Sequence, residues 1–140
     1  MAAHGLGVFA AMLGTAGDGA EDPARRLAGV AGAYVRFSAQ QRPLFETIFN
    51  SGLDKSRYPA LQQAWEAVDA LLSVVLELCD GAEDAAEALV GAVEATAHGH
   101  AMLLIDGEYG EGDEAIRVAA AKATASARAL IAGRQALLSQ

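Results

Sequence analysis

The chain has 140 residues, of which 53% are hydrophobic and 6% aromatic, and it contains 3 prolines. This length suffices for one domain with a substantial core, and the composition favours helices over strands. The formal net charge of -8 excludes nucleic-acid binding by the surface as a whole, because such binding needs basic side chains that neutralise phosphates. The single cysteine, Cys79, excludes an internal disulfide and is expected to be a small buried apolar residue.

The first predicted helix covers residues 3–16 and ends at the flexible sequence GDG. No Lys or Arg precedes its apolar stretch, so we do not interpret it as a secretory signal. No uninterrupted apolar run in the chain approaches the roughly 20 residues of a membrane span. We therefore expect a cytoplasmic protein with no membrane partner.

Three helices are predicted in the middle of the chain. The second begins with Asp22 as its cap and Pro23 at its first position, and runs to about Gln40. A short third helix starts at Pro43 and carries Phe45 and Phe49. The fourth has the strongest apolar periodicity, in the sequence RYPALQQAWEAVDALLSVVLELCDG, and ends at its final glycine, which caps it.

The last two helices are predicted at 83–105 and 112–138, and each carries a long seam of small apolar residues. Six helices without a repeat indicate an all-α, single-domain bundle. A monomer of this size seldom leaves such seams exposed, so we expect two copies to share them in a four-helix dimer interface. The candidate interface residues are Leu89, Ala92, Val93, Thr96, Gly99, Leu103, Ile116, Ala120, Ala123, Ala127, Leu130 and Leu137.

The chemistry-bearing residues are few. His98 and His100 are two positions apart, so on a helix they project roughly 200° from each other and cannot chelate one ion together. We expect no metal and no cofactor. The acidic sequence DGEYGEGDE (106–114) is interpreted as a solvated connection with an acidic helix start, rather than as a calcium loop. No Ser/His/Asp set or phosphate-binding loop is recognisable, so we expect no enzyme.

Two segments together resemble a known family. The sequence AYVRFSAQQRPLFETIFN (33–50) is followed, about fifty residues later, by AHGHAMLLIDG (97–107). This order and spacing resemble the C-terminal domain of tetracycline-repressor-like (TetR) transcriptional regulators, in the branch named for a Trp/His-Gly motif. The resemblance extends over roughly residues 3–138, and the residues that carry it are Tyr34, Phe37, Pro43, Phe45, Phe49, His98, Gly99, Leu103 and Gly107.

The resemblance implies that residues 1–140 form an effector-binding and dimerisation domain, without the helix-turn-helix that reads DNA in this family. It implies a homodimer, a small apolar or aromatic effector, and DNA release on effector binding in the intact protein. The alternative is a free-standing helical module that forms headless heterodimers with full-length regulators. The candidate ligand-binding residues are Tyr34, Phe37, Phe45, Phe49, Trp65, Leu72, His98 and Met102.

Overall fold

The computed structural model describes residues 22–43 and 73–138, and every regular element within these ranges is helical. The three long helices are α1 (Pro23–Gln40), α2 (Glu83–Ile105) and α3 (Gly112–Ala132), and a short 3-10 helix follows α3. A further helical segment, 73–78, precedes α2. Helix α1 packs against both α2 and α3, which also pack against each other, so the long helices form a three-membered bundle.

The all-α class and two of the predicted helices are confirmed with the expected bounds, because α1 begins at Pro23 and α2 spans Glu83–Ile105. The last helix is shorter than predicted. It ends at Ala132, where the Gly133 N–H donates to the Ala129 carbonyl, and the chain continues as the 3-10 helix Arg134–Leu138. The predicted helix 3–16 and most of the third and fourth helices lie outside the described residues, so the count of six stays a prediction.

Helix α1 begins where the sequence predicts a cap. The Asp22 carboxylate accepts a hydrogen bond of 3.0 Å from the Ala24 N–H, and Pro23 occupies the first helical position. Proline suits that position because its missing N–H has no intrahelical acceptor there. The helix ends at Gln41, whose N–H donates to the Phe37 carbonyl at 2.9 Å. The cap thus fixes where α1 begins, and with it the residues that face the neighbouring helices.

The segment 73–78 ends in a left-handed turn. Asp80 and Gly81 have φ angles of 54° and 81°, and the Gly81 N–H donates to the Leu76 carbonyl at 2.8 Å. A bond of this reach, from a residue just past the helix, closes many helix C-termini. The predicted termination at Gly81 is therefore confirmed, and α2 starts two residues later with Glu83 and Asp84 at its electropositive end.

The described core consists largely of small side chains. One face of α2 and one face of α3 are buried against α1 and against each other. Small residues let helix axes approach closely. The buried residues of these two helices are Ala86, Leu89, Val93, Ala97, Ala101 and Leu104 of α2, and Ala115, Ala119, Ala120, Ala123, Ala127 and Ile131 of α3.

Arg134 joins two helix ends. Its Nε donates to the Leu78 carbonyl at 3.0 Å, and its Nη1 donates to the Ile131 carbonyl at 2.8 Å. These carbonyls lie in the last turns of the segment 73–78 and of α3, where helical backbones lack N–H partners. Arg134 interrupts the apolar seam of the sequence because it satisfies these two backbone ends rather than filling a core position.

Helix α2 is long and apolar enough, by length and composition, to cross a membrane, with a mean hydropathy of 1.3 over its most apolar part. The expectation of no membrane partner is not contradicted by this helix, and it stays a prediction. Core helices of soluble proteins pass the same test, and one face of α2 does pack on α1 and α3. The observation is therefore weak evidence for a membrane segment.

At Gly32 the helices α1 and α3 lie in close contact. A Cβ atom at this position would lie 2.5 Å from the Thr124 Oγ1 and 3.4 Å from the Ala120 carbonyl oxygen. The Thr124 hydroxyl is itself held in place, because it donates to the Ala120 carbonyl at 3.0 Å. The nearest atom is therefore a hydroxyl held by its own hydrogen bond, while the flexible end of Arg36 lies farther away, at 3.4 Å.

We expect Gly32→Ala to destabilise the fold by about 1 to 3 kcal/mol, the usual range for an overpacked contact. In an open helix position the same change stabilises by up to about 1 kcal/mol. Gly91→Ala in α2 is the matched control, since nothing lies within 4 Å of its Cβ position. Urea unfolding measures both changes. Equal effects of the two substitutions, or no recovery of stability when Thr124→Ala is added to Gly32→Ala, would contradict the close contact.

Candidate functional site

A tyrosine and a histidine meet where α1 crosses α2. The Tyr34 hydroxyl lies 2.8 Å from Nδ1 of His98, and the two rings are arranged edge to face. The phenol donates when the imidazole carries its proton on Nε2, and the imidazole donates when the proton is on Nδ1. The hydrogen bond therefore persists in both tautomers, and it links the two helices through side chains from distant parts of the sequence.

The Tyr34 hydroxyl stays protonated throughout the physiological pH range. Burial raises the pKa of Tyr34 well above its ordinary value, and the negative charge of Glu94 raises it further. Both effects disfavour a phenolate. A neutral hydroxyl in a largely apolar surrounding is the kind of group that orients a small ligand without requiring a charge on it.

The other histidine of the pair serves a different helix contact. His100 Nδ1 lies 2.7 Å from the Tyr109 hydroxyl, and its Nε2 lies 3.2 Å from Oγ of Ser126 in α3. The predicted divergence of His98 and His100 is confirmed, because one imidazole faces α1 and the other faces α3. Among residues 22–43 and 73–138, no group of three or more His, Cys, Asp or Glu side chains could hold a metal ion.

Electrostatics keep His100 neutral near pH 7. Partial burial lowers the pKa of His100 below its ordinary value, and the positive charge of Lys122 lowers it further. The Lys122 ammonium itself lies 5.8 Å from the centre of the Tyr109 ring, within reach of a cation–π interaction. Four side chains from α2, the following turn and α3 thus form one polar cluster, His100, Tyr109, Lys122 and Ser126.

Tyr109 and Ser126 were not anticipated from the sequence. The turn 106–114 is mostly exposed and α3 begins with Asp113 and Glu114, so the interpretation as a solvated connection with an acidic helix start is confirmed. Tyr109 is its half-buried exception. The feature of the sequence that could have indicated Tyr109 is that it is a lone aromatic residue within an acidic turn, three residues before α3.

The structure brings together part of the predicted ligand-binding set. Tyr34 and Phe37 are buried on α1, and His98 is half-buried beside Tyr34. Met102, one turn beyond His98, is 39% exposed and lies at the surface of the described residues. The remaining candidates lie outside the described residues: Phe45, Phe49, Trp65 and Leu72.

The predicted interface residues divide into two groups. Five are buried in the core of this single chain, where they contact the chain's own helices: Leu89, Val93, Ala120, Ala123 and Ala127. Their assignment to a surface shared with a second copy stays a prediction, and within the single chain these side chains already pack in its core. Gly99 and Leu103 are exposed, while Ala92, Thr96, Ile116, Leu130 and Leu137 are half-buried.

A groove of about 280 Å³ lies between the C-terminal ends of α1 and α2 and the start of α3. Arg42 and Glu111 lie at its lining, together with Gly107, Gly110 and Gly112. Ile116 also lines this groove. Of the predicted ligand-binding residues that the structure describes, none lines it, so this groove and the Tyr34–His98 pair are separate features.

We expect His100→Gln to change how stability depends on pH. Because the folded-state pKa of His100 is lowered, the unfolded chain binds the extra proton first as the pH falls. The free energy that neutral His100 contributes to folding is fully present when the pH is above the ordinary pKa of histidine. It declines as the pH falls from that pKa to the folded-state pKa. Urea unfolding between pH 7.5 and pH 5 should therefore show that the free energy of unfolding falls more steeply with pH in the native chain than in the variant. Parallel plots of the free energy of unfolding against pH would contradict the lowered pKa of His100. The other two histidines are present in both chains, so their effects cancel in the comparison.

A family model described as "Tetracyclin repressor-like, C-terminal domain" matches residues 27–132. The comparison with curated proteins and the comparison with solved structures found no match. The matched range includes all but the first turn of α1 and the whole of α2 and α3, and with them both tyrosine–histidine pairs. The chain belongs to the tetracycline-repressor-like C-terminal domain family.

Proposed function

We propose that this chain is the effector-binding and dimerisation domain of a TetR-like transcriptional regulator. Domains of this family serve regulation rather than catalysis, which agrees with a non-enzymatic role. The observation that carries the proposal is the outward face of α2, where Met102 and Leu103 are the exposed large hydrophobic residues of the described chain, at 39% and 42%. Such side chains beside a row of small residues are typical of a surface that binds a partner.

The proposed interface combines the outward faces of α2 and α3. Exposed residues on these faces are small or apolar, which permits close helix contact across a twofold axis. They are Ala95, Gly99, Met102 and Leu103 of α2, with Ala121, Ala125, Ala129 and Ala132 of α3. This surface differs from the set expected from the sequence, because it excludes the five residues buried within the chain.

Charge supports pairing α2 of one copy with α3 of the other. Helix α2 contains no Lys or Arg, and its exposed charges are Glu83, Asp84, Glu87 and Glu94. Beyond its first turn, α3 presents Arg117, Lys122 and Arg128. An acidic helix against a basic one brings opposite charges to the rim of each contact, which favours this arrangement over α2 against α2.

The effector site is proposed beside Tyr34 and His98. These two side chains provide a neutral hydroxyl and an imidazole among apolar residues, which suits a small apolar or aromatic molecule with one polar group. Gly99 follows His98 directly and is exposed on the proposed interface. A ligand that replaces the Tyr34–His98 hydrogen bond would shift α2 and change the arrangement of the dimer. In an intact regulator that shift would separate the DNA-reading domains and release DNA.

We expect the chain to be a dimer at micromolar concentration by sedimentation equilibrium, and Leu103→Glu and Ala125→Glu to dissociate it. A carboxylate introduced at a twofold interface faces its own symmetry-related copy or a desolvated apolar surface, which costs several kcal/mol and weakens dimerisation by at least about 100-fold.

The control is Gln40→Glu, which adds the same charge at an exposed position of α1. It should leave the dimer intact. A native chain that sediments as a monomer would refute the proposed interface, as would equal dissociation by all three substitutions.

A thermal-shift screen with small aromatic and acyl compounds tests the effector site. A compound present at 100 times its dissociation constant stabilises the folded chain by about 2.7 kcal/mol. Tyr34→Phe should reduce this stabilisation because it removes the orienting hydroxyl, and Trp65→Ala should reduce it by removing a predicted apolar wall. Tyr109→Phe makes the same chemical change at the other tyrosine–histidine pair and should preserve it. A stabilising compound whose effect is unchanged by Tyr34→Phe and by Trp65→Ala binds elsewhere, and the site would be wrong.

A further inference from the structure

We propose that Ser126 is a nucleophile activated by His100, and that small activated carboxylic esters or thioesters acylate it. The polar cluster of His100, Tyr109, Lys122 and Ser126 has no part in the proposed effector site, which lies on the opposite side of α2. The inference therefore stands independently of the proposed function. It assigns a covalent modification site to the contact between α2 and α3.

The arrangement of His100 gives it the role of a base. Its Nδ1 lies 2.7 Å from the Tyr109 hydroxyl and its Nε2 lies 3.2 Å from the Ser126 hydroxyl. When Nδ1 carries the proton and donates to the Tyr109 oxygen, the Nε2 lone pair accepts the hydrogen bond from Ser126. A nucleophile, a base and a third group that orients the base are the three parts of an activated hydroxyl.

Ser126 differs from other hydroxyls in the described helices. Ser38 is buried and donates to the Val35 carbonyl at 2.6 Å, and Thr124 donates to the Ala120 carbonyl at 3.0 Å. Hydroxyls that donate to helix carbonyls in this way have their proton engaged in a hydrogen bond with the backbone. Ser126 instead has an imidazole as its partner, and it is half-buried, which leaves a path for a small reagent.

The charges around the cluster favour the same chemistry. The lowered pKa of His100 leaves its imidazole neutral near pH 7, so it can accept a proton. Lys122 lies one turn before Ser126 on α3, so its positive charge belongs to the same side of that helix. Lys122 and Tyr109 are the charged and titratable groups that face His100 from α3 and from the turn.

The step balances without any further reactant. The Ser126 Oγ attacks the carbonyl carbon while its proton passes to Nε2 of His100. The bond from that carbon to the leaving oxygen or sulfur then breaks, and the leaving group takes the proton from Nε2. The products are an ester on Ser126 and a free alcohol or thiol. Helical N–H groups near Ser126 are engaged in backbone bonds and offer no oxyanion hole, so we expect a single acylation rather than turnover.

The test treats the full chain with p-nitrophenyl acetate at pH 7 and maps the acetyl group by peptide mass spectrometry. Acetylation is expected at Ser126 ahead of the exposed Ser73, and Ser126→Ala should abolish it. His100→Gln should slow it roughly 100-fold, the lower end of the contribution of a general base. Lys122→Arg keeps the positive charge and removes the competing amine, so Ser126 should still be acetylated.

The pH profile separates chemistry from folding. In the native chain, the Ser126 rate should rise with deprotonation of an imidazole and level off, with a midpoint below the ordinary histidine value. Tyr109→Phe removes the acceptor that stabilises the imidazolium and should move this midpoint lower. Acetylation spread equally over Ser73 and Ser126, an unchanged rate in folded His100→Gln, or a rate that rises continuously with hydroxide concentration would each overturn the proposal.

Discussion

The contact between Gly32 of α1 and Thr124 of α3 sets the spacing on which the described bundle depends. With no side chain at position 32, the two helices approach until the threonine hydroxyl reaches the glycine backbone. The alanines along the inner face of α3 fit this short spacing, because larger side chains would separate the axes. Since α1 and α2 pack on the inner face of α3, its outward alanines stay exposed.

Three consecutive residues of helix α2 point in different directions and differ in their contacts. His98 bonds to Tyr34 on α1, Gly99 is exposed, and His100 bonds to Tyr109 and to Ser126 on α3. A rotation of α2 that served one of these contacts would disturb the others. This arrangement gives a physical basis for the coupling proposed between an effector beside Tyr34 and the outward face, because a rigid helix would move both together.

Much of the described fold could be predicted from the sequence because it depends on local signals. Asp22 and Pro23 fix the start of α1, and the glycine after Asp80 fixes the end of the segment before α2. The burial of the alanine seams was harder to predict, since Ala120 and Ala121 have the same hydropathy although one is buried and the other exposed. The tertiary packing of α1 decides between them. Of the candidate site, the divergence of His98 and His100 followed from helical geometry, whereas the partnership with Tyr109 depends on how the turn folds back.

The tight contact at Gly32 also constrains the order in which this sequence can change. A side chain at position 32 meets the Thr124 hydroxyl, so a mutation there is harmful while threonine remains. After a loss of that hydroxyl, the same mutation meets the more distant carbonyl of Ala120 and the guanidinium of Arg36, both at 3.4 Å, and becomes tolerable. Amino-acid replacements in this helix pair are thus expected to occur in one order during evolution, with position 124 replaced before position 32.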